Sequence, residues 1–249
     1  MQEFLNELLN SSGEIISKYF HRPDLHIEQK ANQTPVTAAD RQAEEVLRRM
    51  IRERFPSHGI IGEEYGNENE EAEYVWVIDP IDGTIAFIHG VPLFVTLIAL
   101  LKDKKPILGA IDQPIAGLRC TGDNKSACLN GEPTSIREPK GIDGAVMLAT
   151  DINNIKRMHS PRGFDEILGR VDLFRTWGDG FGYLLLASGK ADIMLDARMA
   201  PWDILPVIPV VRGAKAKITT FTGGDPITGS SAICAHETIH HQVLEILSH

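Results

Sequence analysis

The chain has 249 residues, 43% hydrophobic and 24% charged, a balance that excludes intrinsic disorder and leaves room for one large domain or two small ones. Its 25 Lys+Arg against 34 Asp+Glu leave a formal charge of -9, which excludes a general basic field for nucleic acid, so an anionic ligand needs local positive charge. Cys120, Cys128 and Cys234 form neither a CxxC pair nor an even set, which predicts a reducing compartment, the cytoplasm.

The opening stretch MQEFLNELLNSSGEIISKYF lacks the basic-then-apolar order of a signal peptide. It reads as an amphipathic helix with Phe4, Leu5, Leu8, Leu9, Ile15, Ile16 and Tyr19 on one stripe. Val46, Leu47, Met50, Ile51 and Phe55 mark a second helix, and Thr37-Ala38-Ala39-Asp40 ahead of it matches a capping box. From about Gly59, the runs HGII, YVWVID, LFVTLIALL, KPILGAID and LRCTGD predict a meander of strands. Asn130-Gly131, between SACL and EPTS, predicts a hairpin turn. After Gly144 the elements interleave: strand AVMLAT, helix PRGFDEILGRV, strand DLFRT, helix FGYLLLASG stopped by Gly189, and strand ADIML. A helix from about Asp203, strands AKITTF and SAICA, and a closing helix HETIHHQVLEIL complete the chain. No apolar run approaches the roughly 20 residues that cross a bilayer, so no membrane span is expected. With no Ser/Gly-rich linker, the reading is one catalytic domain over 1–249, an α/β layered αβαβα sandwich. An N-terminal helix pair on an antiparallel sheet (about 1–143) packs on a C-terminal α/β lobe (about 144–249).

Strand YVWVID runs into Asp79-Pro80-Ile81-Asp82-Gly83-Thr84, which puts two carboxylates, a free carbonyl and a hydroxyl at the end of a buried strand. In a tight Pro/Gly turn the two acids can face one point, where protons or a cation must offset their repulsion. Oxygen-only ligands select Mg²⁺ or Mn²⁺ over zinc. Asp-Pro and Asp-Gly are also plain turn formers. Gly62-Glu63-Glu64 follows another apolar strand and can be a solvated loop, while Asp203 in Trp202-Asp203 can be a first-turn acid set against the helix dipole.

Taken in order, Lys30-x9-Asp40, Gly62-Glu63-Glu64, DPIDGT, a Gly-Asp element before an apolar helix and Pro201-Trp202-Asp203 resemble the inositol monophosphatase family of metal-dependent phosphatases, from the first helix to the last. The resemblance implies metal ligands at Glu63, Asp79, the Ile81 carbonyl, Asp82 and Asp203. Asp79 would bridge two Mg²⁺ ions, with Mn²⁺ a possible substitute for them and a third ion possible. It also implies that Glu63 and Thr84 orient the attacking water, that Asp40 partners the Thr84 hydroxyl, and that the protein is a homodimer acting on a small phosphorylated metabolite. Backbone N–H groups at Gly83 and Thr84 and a helix N-terminus near Gly178-Asp179 are expected to receive phosphate oxygens, beside Asp82 and Asp203.

Within the family, VPLFVTLIALL, KPILGAIDQP and Gly178-Asp179-x-x-x-Tyr183 look most like histidinol-phosphate phosphatases, which points to histidine biosynthesis. That substrate carries an ammonium, which Asp179 or Asp196 could pair. Asp196 could equally end a strand and Asp179 cap a helix. An inositol-1-monophosphatase or a broad-specificity sugar or nucleotide monophosphatase is the alternative.

Three stretches depart from the family pattern. Ile85-Ala86 stands where relatives carry a polar or basic side chain. Pro206 is expected in the first turn of its helix, where a missing N–H costs nothing. Arg212-Gly213-Ala214-Lys215 replaces an acidic, double-glycine element. A rival from another class is a zinc peptidase through His236-Glu237-Thr238-Ile239-His240, but that motif sits on a terminal amphipathic helix. His21, His26, His58 and His89 have no mutual metal spacing, and Trp76, Trp177 and Trp202 lie on core-like segments.

Overall fold

The computed structural model describes residues 1–22, 27–29 and 35–248, so Lys30 and His26 lie outside the described residues. Helices α1 (Gln2–Tyr19) and α2 (Ala38–Arg54) flank a short hairpin of β1 (Ile27–Gln29) and β2 (Pro35–Thr37). The next strands are β3 (Gly59–Gly62), β4 (Gly66–Glu68), β5 (Tyr74–Asp82), β6 (Val95–Lys102), β7 (Lys105–Gln113), β8 (Leu118–Gly122), β9 (Ala127–Leu129) and β10 (Glu132–Thr134), with the short helix α3 (Thr84–Ile88) between β5 and β6. They form one sheet in the order β10-β9-β8-β7-β6-β5-β3-β4. From β5 to β10 it is the expected antiparallel meander, but β3 runs parallel to β5, so the sheet is not wholly antiparallel. At the predicted hairpin, Asn130 and Gly131 both have positive φ (51° and 86°), the geometry a two-residue turn of this twist requires.

The second half contains β11 (Val146–Ala149), α4 (Ile152–Met158), α5 (Pro161–Arg170), β12 (Leu173–Arg175), α6 (Asp179–Ala187), β13 (Ile193–Asp196), α7 (Pro201–Gly213), β14 (Lys217–Thr219), β15 (Ala232–Ala235) and α8 (Glu237–Leu247). Its five-stranded sheet has the order β12-β11-β13-β15-β14, parallel around β11 and antiparallel around β15.

Side-chain alternation along β5 builds the layers. Trp76 and Ile78 face outward to Phe4, Leu5 and Leu8 of α1 and Leu47 and Ile51 of α2. Val75 and Val77 face inward, with Leu97 and Ala99 of β6, onto Leu184 of α6 and Val207 and Val211 of α7, where Met194 and Cys234 of the second sheet join them. The far face of that sheet, through Ile193, Leu195 and Ile233, packs on Phe164 of α5 and Val243 of α8. The result is the αβαβα sandwich, and a strand covered on both faces reads as the continuous apolar run YVWVI.

Helix α7 starts at Pro201, so Pro206 and Pro209 lie inside it rather than in its first turn. Each removes the N–H that an interior turn would use, and the helix is held by packing instead. The Pro206 carbonyl sits where a Cβ on Gly109 would come within 2.2 Å, and the Pro209 carbonyl stands 2.5 Å from a Cβ on Gly122. The helix backbone therefore rests directly on β7 and β8. Of the tryptophans expected on core-like segments, Trp76 is fully buried, whereas Trp177 is 41% exposed and Trp202 lines a cleft.

Candidate metal centre

The acids of DPIDGT are brought together by a bulge and not by a turn. Residues three apart on a regular strand point to opposite faces. Here Asp79 pairs with Leu97 and Asp82 with Val95, so three steps on β5 match two on β6, and the extra residue returns Asp82 to the face of Asp79. Pro80, which has no N–H to give, fits such a break in the ladder. Its carbonyl is taken by the Thr96 hydroxyl at 2.8 Å. The Ile81 amide donates to Asp79 Oδ1 at 3.0 Å and turns that carboxylate along the strand end.

Parallel pairing of β3 with β5 sets Gly62 level with Ile78 and puts Glu63, whose amide donates to the Ile78 carbonyl at 3.3 Å, beside Asp79. Asp203 arrives from the first turn of α7, where it accepts the Ala200 amide at 2.7 Å, so the first-turn reading holds and does not take the side chain away from the other acids. Oxygens of Asp79, Asp82 and Asp203 lie within 4.8 Å of one another, the one such group of three or more acidic, His or Cys side chains among the described residues. Burial, then Glu63, Asp82 and Asp203, hold the Asp79 carboxyl well above its ordinary range. Burial followed by Asp179 and Asp203 does the same to Asp82, opposed by the Gly180 amide. Clustered carboxylate oxygens are the donor type that suits a hard divalent cation, whose charge would offset the repulsion among them.

A cleft of about 380 Å³ opens over this group, lined by Glu63, Asp79, Ile81, Asp82, Gly83, Thr84, Ile85, Asp179, Arg198, Ala200, Trp202 and Asp203. Gly83 takes the left-handed conformation (φ 87°) that starts α3. Asp179, itself at φ 50°, sits against it: Asp179 Oδ2 would lie 3.2 Å from a Cβ on Gly83. Burial raises the Asp179 carboxyl to about 6.

Several expected roles meet a different arrangement. The Thr84 hydroxyl donates to the Ile81 carbonyl at 3.0 Å and not to Asp40, and that carbonyl keeps one lone pair for another partner. Asp40 closes the capping box at α2, its Oδ2 accepting the Thr37 amide at 2.8 Å and hydroxyl at 2.6 Å, while its Oδ1 is buried without a partner. Burial lifts Asp40 to about 6. At α6 the Gly180 amide donates to Asp82 Oδ2 and the Asp179 amide to Thr150 Oγ1 at 2.7 Å, so the helix N-terminus expected to receive phosphate is occupied in holding Asp82. Gly178 and Gly180 are required by contact, since a Cβ would meet Thr150 Cα at 2.3 Å or Asp82 Oδ2 at 2.7 Å. Asp196 ends β13, buried beside Tyr183 and within the electrostatic reach of Asp179 and Asp203.

Sequence reasoning missed Arg198, the local positive charge that an anion needs in an acidic chain; a lone Arg before the PWD element carries no signal until the fold turns it into the cleft. Ile85 is 66% exposed at the cleft mouth. The rival zinc motif comes apart. His236 lies before α8 and its Nδ1 accepts the Thr238 amide at 3.2 Å, whereas His240 is buried and bonded to Thr219. Burial holds the His240 imidazole down to about 4.

Acidic oxygens gathered at one strand end, in a cleft that also holds Arg198, are groups suited to metal-assisted phosphate-ester hydrolysis. The chain belongs to the inositol monophosphatase family, matched over residues 1–249, and is a phosphomonoesterase. It is 40% identical over 255 residues to the chloroplastic bifunctional phosphatase IMPL2 of Arabidopsis thaliana, a match covering 97% of this chain and 73% of that protein. It is 34% identical to the histidinol-phosphatase of Chlorobaculum parvum, covering 96% and 93%. An inositol monophosphatase structure from Zymomonas mobilis superposes with a TM-score of 0.83 at 31% identity, covering 97% of this chain and 95% of that one. No described helix is long and apolar enough to cross a membrane.

Proposed function

We propose that the protein is a Mg²⁺-dependent histidinol-phosphate phosphatase in which the whole chain acts as one catalytic unit. The observation that carries the substrate reading is Asp179, a carboxylate at the cleft wall outside the Asp79, Asp82 and Asp203 group and pressed against Gly83. A substrate ammonium there gains a charge-assisted bond that a neutral polyol cannot make. The C. parvum histidinol-phosphatase supports the same reading.

Glu63, Asp79, Asp82, Asp203 and the free lone pair of the Ile81 carbonyl would hold two or three Mg²⁺ ions, with Mn²⁺ as a substitute. Such ions neutralise phosphate oxygens and make a water acidic enough to attack near neutral pH. The chain's own part is orientation. Thr84, donating its proton to Ile81, leaves its oxygen free to accept one from a water, and Glu63 stands beside Asp79 to hold that water's other proton. Gly83, left-handed and without a Cβ, lets Asp179 close up beside Thr84 at the cleft wall. The acidic cleft takes its charge balance from the ions and from Arg198.

Inositol-1-phosphate or a broad range of monoesters is the second reading. It is favoured by the Arg198 guanidinium, which repels the ammonium that Asp179 attracts. The test is phosphate release with Mg²⁺, comparing kcat/KM for L-histidinol phosphate, myo-inositol-1-phosphate and AMP, with EDTA as control. A strong preference for histidinol phosphate supports the proposal; a preference for inositol phosphate, or weak activity on all three, overturns the substrate while keeping the metal chemistry. A homodimer in the cytoplasm completes the reading, and sedimentation of the purified protein tests the dimer.

A further inference from the structure

Two charged side chains buried on α2 take no part in the chemistry above. Glu44 is 0% exposed and Arg48 2%. They pair with each other, Arg48 Nε to Glu44 Oε1 at 2.8 Å, and both then turn to the β3–β4 hairpin. The Glu44 carboxylate accepts the Glu64 amide at 2.8 Å and the Tyr65 amide at 3.1 Å. Arg48 donates to the Gly66 carbonyl and, at 2.8 Å, to Glu68 Oε1. The pair therefore binds the main chain of residues 64, 65 and 66, immediately after Glu63. Gly62, on the other side of Glu63, makes room for it, because a Cβ there would stand 2.2 Å from Glu44 Oε1 and 2.5 Å from Arg48 Nη2.

A buried ion pair is a poor device for stability alone, since well-packed apolar residues of similar volume do as well or better. What apolar residues cannot supply is an acceptor for two turn amides and a donor for the turn carbonyl, and those bonds set where the hairpin places Glu63. We infer that Glu44 and Arg48 are a positioning pair for Glu63, acting on cation affinity through the hairpin and not through contact with substrate. The inference rests on the reading of Glu63 as a cation ligand.

The test uses the full chain and four variants: Glu44→Gln, Gly62→Ala, Glu63→Gln and the double Glu44→Gln/Glu63→Gln. Binding of Mg²⁺ and Mn²⁺ is measured by calorimetry without substrate, the half-saturating Mg²⁺ concentration and kcat by phosphate release, and folding in EDTA by circular dichroism. Glu44→Gln is expected to weaken cation binding about tenfold, the range for residues that orient a ligand. It should raise the half-saturating Mg²⁺ far more than it lowers kcat. Gly62→Ala, which keeps both charges and displaces them, is expected to do the same. In the Glu63→Gln background the effect of Glu44→Gln should shrink to within about twofold, since residues acting through one another are not additive. Folded Glu44→Gln and Gly62→Ala proteins with wild-type cation affinity overturn the proposal, as does an undiminished Glu44→Gln effect in the Glu63→Gln background. Should Glu44→Gln fail to fold, Gly62→Ala alone and combined with Glu63→Gln decides between the same outcomes. If Glu63→Gln itself leaves cation affinity unchanged, the ligand reading has failed first and the positioning role falls with it.

Discussion

Replacing Asp79 with Asn should stabilise the metal-free protein while abolishing activity. Two ionised carboxylates at the 4.8 Å limit of this group repel by about 3.5 kcal/mol at an effective dielectric of about 20, and Asp79 has two such neighbours. Proton uptake caps the strain, because keeping one carboxyl protonated at pH 7 against an ordinary value of 3.8 costs about 4 kcal/mol. Removing the Asp79 charge therefore relieves roughly 3 kcal/mol, a rise in Tm of about 6 °C for a chain of this length. An asparagine oxygen can still accept the Ile81 amide, so the strand end keeps its hydrogen bond. For an acid whose value is raised on folding, the native state binds more protons than the unfolded chain, so metal-free stability falls as pH rises through the folded value. Asp79→Asn should flatten that fall. The assay is thermal unfolding in EDTA and in millimolar Mg²⁺, at several pH values, with phosphate release on the same samples. Mg²⁺ should raise the wild-type Tm and leave that of Asp79→Asn nearly unmoved. A lower Tm for the variant in EDTA, or a wild-type Tm indifferent to Mg²⁺, refutes the reasoning.

Asp40, raised to about 6 by burial, should cost the fold stability increasingly between pH 3.8 and 6 and fully above; Asp40→Asn should remove that slope in denaturant titrations in EDTA, and an unchanged pH profile would contradict it. Gly180→Ala places a Cβ 2.5 Å from Val95 Cγ2 and 2.7 Å from Asp82 Oδ2, so it should destabilise by about 1–3 kcal/mol and raise the half-saturating Mg²⁺ about tenfold. Wild-type Mg²⁺ dependence in that variant would mean that Asp82 does not bind the cation. Asp179→Asn should lower kcat/KM for histidinol phosphate about 10- to 100-fold, the worth of one charged hydrogen bond, and affect inositol-1-phosphate much less. Equal losses on both esters would remove Asp179 from the specificity argument.

Helix stripes, the strand meander, the Asn130-Gly131 turn and the Gly189 stop were legible in the chain because each is a local preference, decided by side-chain period or by backbone freedom at one or two residues. The layered order followed from them, since YVWVI has no polar face to offer solvent. The candidate site divides the same way. Asp79 and Asp82 are announced by their own hexapeptide, and Glu63 and Asp203 by short motifs whose combination is specific even though each alone is ambiguous.

What brings those acids to one place is not local. A bulge puts Asp79 and Asp82 on one face, parallel pairing of β3 with β5 sets Glu63 beside them, and the close rest of α7 on Gly109 and Gly122 delivers Asp203. These depend on pairing and packing between separate elements, which local sequence preferences do not fix. The same holds for the residues that reading missed. Arg198 reaches the cleft only because the chain turns there after β13. Glu44 and Arg48 look like any solvated i, i+4 pair on a helix, and only the hairpin folded over them turns two surface charges into buried ones. Sequence by itself determined the elements and the chemistry available; tertiary structure decided which of those groups share a point in space, because convergence is a property of long-range packing and burial, not of composition or period.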